Sequence, residues 1–149
     1  MKKIRKDFEI VVIGDSGTGK TSIIYKYADQ ELKDIKKTSV LECIPKKIEK
    51  KTHIFNLNIW DTPGEDEDHD KVIGFIKRNF DGCVLVYDVS NEDSFNNLDV
   101  WYTEAKEVLL LKDAPIILLG NKNDLPKKDK LIKGNLGKEK AKRFRAKFF

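Results

Sequence analysis

The eight residues Gly14–Thr21 constrain this chain of 149 residues more than any other feature. They read Gly-Asp-Ser-Gly-Thr-Gly-Lys-Thr and fit the pattern G-x-x-x-x-G-K-[S/T] without a substitution. The apolar run Phe8–Ile13 precedes them, and helical spacing of apolar residues follows from Lys20. A strand, a glycine-rich turn and a helix N-terminus in this order direct backbone N–H groups at an anion. The pattern predicts a phosphate-binding loop for a nucleoside triphosphate. It does not indicate which base the nucleotide carries.

Within this loop, Lys20 supplies a cation for the terminal phosphates, and the Thr21 hydroxyl is a hard oxygen ligand for Mg²⁺. The glycines let the backbone turn so that successive N–H groups point inward. The residues predicted to surround the phosphates are Gly14, Asp15, Ser16, Gly17, Thr18, Gly19, Lys20 and Thr21. The competing interpretation is a glycine-rich strand-to-helix turn without a ligand.

Short apolar runs alternate with helical periodicity along the rest of the chain. Cys83–Tyr87 and Ile116–Leu119 predict buried strands, and Leu41–Ile48 with Thr52–Trp60 predicts a hairpin with a charged turn. Apolar strands separated by amphipathic helices predict one α/β domain over residues 1–149, with a mostly parallel sheet and helices on both faces. Ligands in such sheets bind beyond the carboxyl ends of the strands.

Two expectations concern individual helices. Ser90 and Asp93 form the pattern of a capping box and predict the start of one long helix. The spacing of Ala141, Phe144 and Phe148 predicts a last helix from about 138 to 148.

Two polar motifs follow predicted strands. In Asp61-Thr62-Pro63-Gly64, the carboxylate can hold the hydration shell of Mg²⁺, and Gly64 can bring a backbone N–H to a third phosphate. In Asn121-Lys122-Asn123-Asp124, the Asp124 carboxylate can accept hydrogen bonds from the ring N–H and the exocyclic amine of guanine, a donor pair that adenine lacks. Each motif taken alone is also a common polar turn. Together with the phosphate loop they predict a guanine-nucleotide site.

The net charge of +4 is unevenly distributed. Residues 126–149 contain ten Lys and Arg against two Asp and Glu, whereas residues 1–125 carry an acidic excess. This asymmetry speaks against a uniformly basic nucleic-acid binder, and no nucleic-acid partner is expected. A solvated lysine-rich helix face is the preferred interpretation of the basic end, and contact of this end with phosphate or lipid is the alternative. Cys43 and Cys83 lie in apolar stretches without metal-type spacing, which indicates free thiols. No signal-peptide core follows the charged start, so a cytoplasmic location is expected.

The combination of motifs resembles the small GTPases of the Ras superfamily, nearest the Rab branch. The resemblance runs in order over residues 8–125 and is carried by Gly14–Thr21, Trp60–Gly64, Tyr87–Phe95 and Gly120–Asp124. It implies a Ras-like P-loop NTPase fold and a switch in which GTP and Mg²⁺ order two loops that hydrolysis to GDP releases. Effector and regulatory proteins would read the difference through these switch loops, and membrane association would come through such partners.

Carried over by position, the resemblance implies three groups of site residues. Ser22 joins the residues of the loop in binding phosphate, and guanine is bound by Asn121, Lys122 and Asp124. Mg²⁺ is bound by Thr21 and Thr38 directly and by Asp61 through water. Counting from Thr21 places the family's switch threonine at Ser39. Thr38 is preferred because a loop one residue shorter aligns Glu42 with the family's acidic position.

The departures from the family bear on hydrolysis. Glu65 stands where the family usually has the glutamine that positions the attacking water, next to Gly64. A carboxylate cannot donate a hydrogen bond to the third phosphate and adds negative charge beside it, so we expect slow GTP hydrolysis. The competing interpretation is that Glu65 still orients water as a base. Val40 in place of a glycine and Leu32 in place of an aromatic ring predict altered loop closure and weaker nucleotide retention.

The chain ends 25 residues after Asp124, where the family continues into a final strand, a Ser-Ala-Lys loop and a closing helix. We therefore expect the domain to lack these elements and the faces around Phe144 and Phe148 to be exposed. Arg145-Ala146-Lys147 resembles the Ser-Ala-Lys loop only superficially. Because the chain ends in Phe148-Phe149 without prenylation cysteines, no lipid anchor is expected in it.

Two alternative functions stand beside the GTP-dependent switch. One is a GTPase-like interaction module that does not hydrolyse GTP and acts through its altered switch surface. The other is an ATP-using P-loop enzyme such as a kinase, against which Asp124 with Asn121 and Lys122 speaks.

Overall fold

A computed structural model of the protein describes residues 2–31, 40–64, 69–76, 80–110 and 113–149. The strands in these ranges are β1 (Ile4–Ile13), β2 (Glu42–Glu49), β3 (His53–Asp61), β4 (Gly82–Asp88), β5 (Ile116–Asn121) and β6 (Lys147–Phe148). The helices are α1 (Lys20–Tyr27), α2 (His69–Ile76), α3 (Glu92–Asn96), α4 (Leu98–Leu110) and α5 (Gly134–Arg143), with a short 3₁₀ turn at Lys127–Asp129. Over the described ranges, the helices are too short or too polar to cross a membrane.

The strands form one sheet in the order β2-β3-β1-β4-β5-β6. β1 pairs in parallel with β3 and β4, and β5 pairs in parallel with β4 and β6. β2 is antiparallel to β3 and forms the predicted hairpin with it. The predicted α/β fold with a mostly parallel sheet is confirmed. Because the carboxyl ends of β3, β1, β4 and β5 lie at the same edge, the segments that follow these strands meet there.

Successive side chains of the central strand β1 pack on opposite faces of the sheet. Val11 and Ile13 belong to a core cluster with residues of α2, α3, α4 and α5. Val12 belongs to a second cluster that includes Ile24 of α1. Helices therefore cover both faces, as the continuous apolar runs predict. Since all three β1 side chains are at most 3% exposed, the start of the loop that follows β1 is held firmly in place.

The predicted long helix after β4 is divided at Asn97 into α3 and α4. Asn91, rather than Ser90, is the N-cap of α3, and its side chain accepts a hydrogen bond from Ser94 N at 3.0 Å. The Ser90 hydroxyl instead donates to Asp88 Oδ1 at 2.6 Å. The capping-box prediction was therefore one residue early, because Ser90 is used by the end of β4.

The predicted last helix is wrong in its second half. α5 ends at Arg143, and Arg145 adopts a left-handed backbone conformation with a φ of 52°. Hydrogen bonds from Ala146 N to Ala141 O (2.8 Å) and from Arg145 N to Lys142 O (3.1 Å) close the helix in a Schellman motif. The sequence hides this end because an arginine, and not a glycine, occupies the left-handed position.

After this turn the chain enters a sixth strand, and the expectation that the domain lacks the final strand is therefore corrected. β6 pairs in parallel with β5 and aligns Phe148 with Leu118. The ladder continues at Phe149, whose N–H donates to Leu118 O at 3.0 Å and whose carbonyl accepts from Gly120 N at 3.1 Å. The expectation that the Ser-Ala-Lys loop and the closing helix are missing stays a prediction.

The exposed apolar surface also differs from expectation. Phe144 is only 2% exposed, and its ring stacks on Tyr102 with the centroids 4.0 Å apart. Phe148 is half-buried. An open apolar groove of about 380 Å³ lies instead on the α1 side of the sheet and is lined in part by Tyr27 and Phe149. The prediction of an exposed face around Phe144 is therefore wrong.

The variant Gly137→Ala tests how β6 packs on α5. A Cβ at Gly137 would lie 2.5 Å from the Phe148 ring and 2.6 Å from the Tyr87 hydroxyl. Alanine normally stabilises a helix by about 1 kcal/mol relative to glycine. Here we expect a loss of about 1–3 kcal/mol in the free energy of unfolding, because the buried Tyr87 cannot move aside. Denaturant unfolding measures the change.

The matched control is Gly134→Ala, since a Cβ at Gly134 would meet nothing within 4 Å. This variant should be as stable as the wild type or slightly more so. A G137A protein as stable as G134A would contradict the described packing of β6.

Candidate functional site

Three segments, each following a parallel strand, meet at the carboxyl edge of the sheet. They are the loop between β1 and α1, the turn after β3 and the loop after β5. Ser16 N donates a hydrogen bond to Gly64 O at 2.8 Å, which joins the first segment to the second. Asn121 Nδ2 donates to Thr18 O at 2.8 Å, which joins the first to the third. The structure thus brings together motifs that lie far apart in the sequence.

The loop between β1 and α1, called the phosphate loop below (residues 14–19), has the backbone of an anion-binding turn. Gly14, Gly17 and Gly19 have positive φ angles of 144°, 77° and 92°. Gly19 is the N-cap of α1 and makes no side-chain cap, so the helix N-terminus presents its N–H groups and positive dipole end to the loop. The Thr18 hydroxyl, which is buried, donates to Asp15 O at 2.9 Å and stabilises the turn.

Lys20, the first residue of α1, directs its ammonium group into the phosphate loop. Nζ donates to Gly14 O at 2.8 Å and to Asp15 O at 3.0 Å, and the residue is 6% exposed. Burial lowers the pKa of Lys20 from its ordinary value of 10.5 to about 8, although the carboxylates of Asp61 and Asp15 partly oppose the shift. An anion beside this buried ammonium would stabilise its charged form, so the position favours phosphate.

Thr21 and Asp61 bring two oxygen ligands together beside the loop. The Thr21 hydroxyl donates to Asp61 Oδ2 at 2.5 Å, and Asp61 is fully buried at the end of β3. Hydroxyl and carboxylate oxygens suit Mg²⁺, which proteins usually hold through one or two side chains together with phosphate oxygens and water. The part of the chain that the structure describes contains no cluster of three His, Cys, Asp or Glu side chains that could bind a metal alone. The donor set therefore fits a Mg²⁺ ion shared with bound phosphates.

The turn after β3 approaches the phosphate loop very closely. Thr62 is fully buried, and its hydroxyl donates to Val12 O at 2.7 Å, which fixes the turn to β1. A Cβ at Gly64 would lie 2.3 Å from Ser16 N and 2.6 Å from Lys20 Nζ, so this approach requires glycine. The Gly64 backbone therefore lies beside the ammonium group, and its contact with a third phosphate stays a prediction.

The segment at the end of β5 (Asn121–Asp124) carries the residues predicted to contact guanine and is called the base-reading loop below. Lys122 has a positive φ of 64°. Asp124 is exposed, so its carboxylate is accessible to a ligand. Lys130 Nζ donates to Asn123 O at 2.5 Å and to Asn123 Oδ1 at 2.9 Å, which fixes the far side of the loop.

Asp88, the last residue of β4, lies beside the predicted site and is not among the site residues predicted from the sequence. Its carboxylate pairs with Lys122 Nζ at 2.5 Å and accepts hydrogen bonds from Ser90 N at 2.8 Å and Ser90 Oγ at 2.6 Å. Burial would raise the pKa of Asp88, but the bonds from Lys122 and Ser90 outweigh it and hold the pKa below its usual value. Asp88 therefore stays ionised and orients Lys122. The signal in the sequence was an aspartate at the end of a buried apolar strand.

Some predicted site residues lie outside the described residues, namely Thr38, its alternative Ser39, Glu65 and Leu32. Their roles stay predictions. Ser22 lies in the first turn of α1, next to the phosphate loop. Val40 precedes β2 and is 70% exposed.

The variant Lys20→Met tests the burial of the ammonium group. Because the pKa of Lys20 is lower in the folded protein than in the unfolded chain, the unfolded chain binds the proton more tightly. The cost of burying the charge is therefore full below about pH 8 and falls as the pH rises towards 10.5. In protein freed of nucleotide and phosphate, the stability gain of K20M over wild type should be about 2 kcal/mol smaller near pH 10 than near pH 7. Urea unfolding at both pH values measures this difference.

The matched control is Lys138→Met on an exposed position of α5. Its difference from wild type should be the same at both pH values. A K20M effect that does not change with pH would show that the Lys20 ammonium is not desolvated as described.

Comparison with known proteins agrees with this geometry. The sequence profile of the Ras family matches residues 9–149. Similar curated proteins include the Ypt/Rab-type GTPase ypt7 of Schizosaccharomyces pombe, which is 34% identical over 132 residues, 83% of this chain and 62% of the relative. The Ras-related proteins Rab7 of Cenchrus ciliaris (34% over 125 residues, 78% and 58%) and RabN1 of Dictyostelium discoideum (33% over 137 residues, 87% and 63%) are also similar. The chain spans about three fifths of the length of these relatives.

The profile match begins within β1 and extends through β6, so it includes the phosphate loop, the turn after β3 and the base-reading loop. The match therefore covers all the segments that line the site. This chain therefore belongs to the Ras family of small GTPases.

Proposed function

We propose that this protein is a switch that binds GTP and GDP together with Mg²⁺ at the carboxyl edge of its sheet. The observation that carries the proposal is the 2.8 Å hydrogen bond from Asn121 Nδ2 to Thr18 O. It joins the base-reading loop to the phosphate loop, so that a base and its phosphates can bind in one continuous site. Membership of the Ras family supports the same function.

The phosphate loop, Lys20 and the N-terminus of α1 would bind the phosphates. Lys20 offers an ammonium group that is already removed from water, and therefore interacts more strongly with an anion than an exposed lysine does. Thr21 and Asp61 would hold Mg²⁺, which neutralises phosphate charge when bound. The backbone of Gly64, beside Lys20, would contact the terminal phosphate.

The base-reading loop would select guanine. The exposed Asp124 carboxylate accepts hydrogen bonds from the two neighbouring N–H donors on the edge of guanine, and adenine leaves this acceptor unpaired. Lys122, held by Asp88, would lie along the base. This donor pattern supports GTP over ATP and speaks against a kinase.

Nucleotide selection is tested by Asp124→Ala. The wild type should bind a fluorescent GDP analogue that unlabelled GTP, and not ATP, displaces. The variant should bind it about 100-fold more weakly, because it loses a charge-assisted pair of hydrogen bonds. Equilibrium fluorescence titration measures both affinities.

The control for this titration is Asp129→Ala, which removes an exposed carboxylate from the nearby 3₁₀ turn and should leave the affinity unchanged. Displacement by ATP at the same concentration as GTP would contradict guanine selection. So would an unchanged affinity in D124A.

We also propose that GTP hydrolysis is slow. Glu65 directly follows Gly64 in the sequence, and the Gly64 backbone lies beside Lys20. We predict that Glu65 acts beside the third phosphate. A carboxylate there repels the phosphate and cannot donate a hydrogen bond to it. The slow step would prolong the GTP-bound state.

Glu65→Gln should raise the single-turnover rate of GTP hydrolysis about tenfold or more, because the amide supplies the missing donor and removes the charge. Glu67→Gln, in the same acidic run, is the matched control and should leave the rate unchanged. A rate that falls in E65Q would mean that Glu65 acts as a base and would contradict the proposal. An unchanged rate would contradict it as well.

Effector and regulatory proteins would contact the two switch loops, those of Thr38 and of Glu65, in a nucleotide-dependent manner. Glu42, at the start of β2, supports this assignment because it follows the first of these loops and is exposed. The Tyr25 hydroxyl lies 3.1 Å from each Glu42 carboxylate oxygen and ties this strand end to α1. Such partners would also bring the protein to a membrane.

A further inference from the structure

Asp15 is the one acidic residue of the phosphate loop, and its side chain bonds to the N-terminal end of α4. Asp15 Oδ1 accepts a hydrogen bond from Trp101 Nε1 at 2.8 Å. Asp15 Oδ2 accepts one from Asn97 Nδ2 at 2.7 Å. Each carboxylate oxygen is therefore bonded to a donor that lies more than 80 residues away in the sequence.

The two donors belong to one rigid unit. Asn97 is the residue between α3 and α4, and Trp101 lies one helical turn further along α4. The backbone N–H of Trp101 donates a hydrogen bond to Asn97 O at 3.1 Å. Trp101 is 3% exposed and belongs to the main core cluster. The Asp15 carboxylate also lies at the N-terminal end of the 13-residue helix α4, whose dipole favours an anion there. The core thus fixes Trp101, whereas Asn97 is exposed and is held through the backbone that joins α3 to α4.

The main chain of Asp15 takes part in the site itself. Its carbonyl accepts hydrogen bonds from Lys20 Nζ at 3.0 Å and from the Thr18 hydroxyl at 2.9 Å. The next residue, Ser16, donates its N–H to Gly64 O at 2.8 Å. A side chain anchored to α4 therefore fixes the peptide that positions the buried ammonium group and the turn after β3.

We propose that Asp15, Asn97 and Trp101 form a clamp that holds the phosphate loop in its binding geometry and slows the release of nucleotide. The inference rests on the proposed function, because it concerns nucleotide bound at that site. All three are positioning residues, since the side chains act through the loop backbone.

If Asp15 had a different role, its replacement would change the rate of nucleotide release in the opposite direction. If its charge merely repelled phosphate, any neutral residue at this position would slow nucleotide release. In the clamp, removal of the acceptor frees the loop and speeds release. The variant D15N should keep most of the wild-type rate. The amide oxygen of Asn at this position can still accept the hydrogen bond from Trp101, and its NH₂ group can donate to the Asn97 side-chain oxygen once the Asn97 amide is flipped.

The kinetic test is the dissociation rate of a fluorescent GDP analogue from D15A, D15N, W101F and the double variant D15A/W101F. D15A and W101F should each release the analogue about tenfold faster, the change expected for loss of a hydrogen bond to a charged group. The double variant should be no faster than D15A, because both changes break the same contact. Y102F, on the same helix, is the matched control and should keep the wild-type rate.

A second measurement needs no nucleotide. Trp60 and Trp101 are the two tryptophans of the chain, so W60F leaves Trp101 as the sole indole emitter. In this background, D15A should increase acrylamide quenching of Trp101 about twofold, whereas D15N should change it little. An identical quenching constant in D15A would contradict the clamp.

The outcomes separate the two proposals. A wild type that binds no guanine nucleotide contradicts the proposed function, and the quenching measurement then still decides whether the clamp exists. A wild type that binds GDP, with D15A and W101F releasing it at the wild-type rate or more slowly, contradicts the clamp alone. Additive effects in the double variant also contradict it.

Discussion

The buried ammonium group of Lys20 is the interaction on which the rest of the site depends. Two backbone carbonyls of the phosphate loop accept its hydrogen bonds, and burial lowers its pKa to about 8. A positive charge held out of water in this way is stabilised by an anion bound beside it. The buried strand β1 makes the arrangement possible, because its apolar side chains on both faces hold the loop that surrounds the ammonium group.

The order of the strands explains how distant segments come to serve one site. β1 lies between β3 and β4, so Asp61 and Gly64 approach the phosphate loop from one side, and Asp88 lies on the other. β5 follows β4 in the sheet and brings Asn121 against Thr18. α4, packed on the face that also carries α5, supplies the two donors to Asp15. In the described part of the chain, contacts from β3, β4, β5 and α4 thus surround and position the phosphate loop.

The strands of the sheet and the three site motifs could be predicted because they depend on residues that are neighbours in the sequence. Contacts between residues that are far apart in the sequence could not be predicted. The apolar runs and the glycine pattern identify strands and the phosphate loop because each depends on neighbouring residues. The end of α5 was missed because Arg145 adopts a conformation that usually marks glycine. The roles of Asp88 and of the Asp15 side chain depend on Lys122 and Trp101, partners that no spacing rule connects to them.

The nucleotide that the purified protein carries tests the central claim most directly. Chromatography of the small molecules released when the protein is denatured identifies that nucleotide and its molar ratio to protein. A buried ammonium beside a loop that is predicted to select guanine leads us to expect GDP or GTP at close to one molecule per chain, with an equivalent of Mg²⁺. Release of an adenine nucleotide, or of no nucleotide from protein that also fails to take up added GDP, would contradict the assignment.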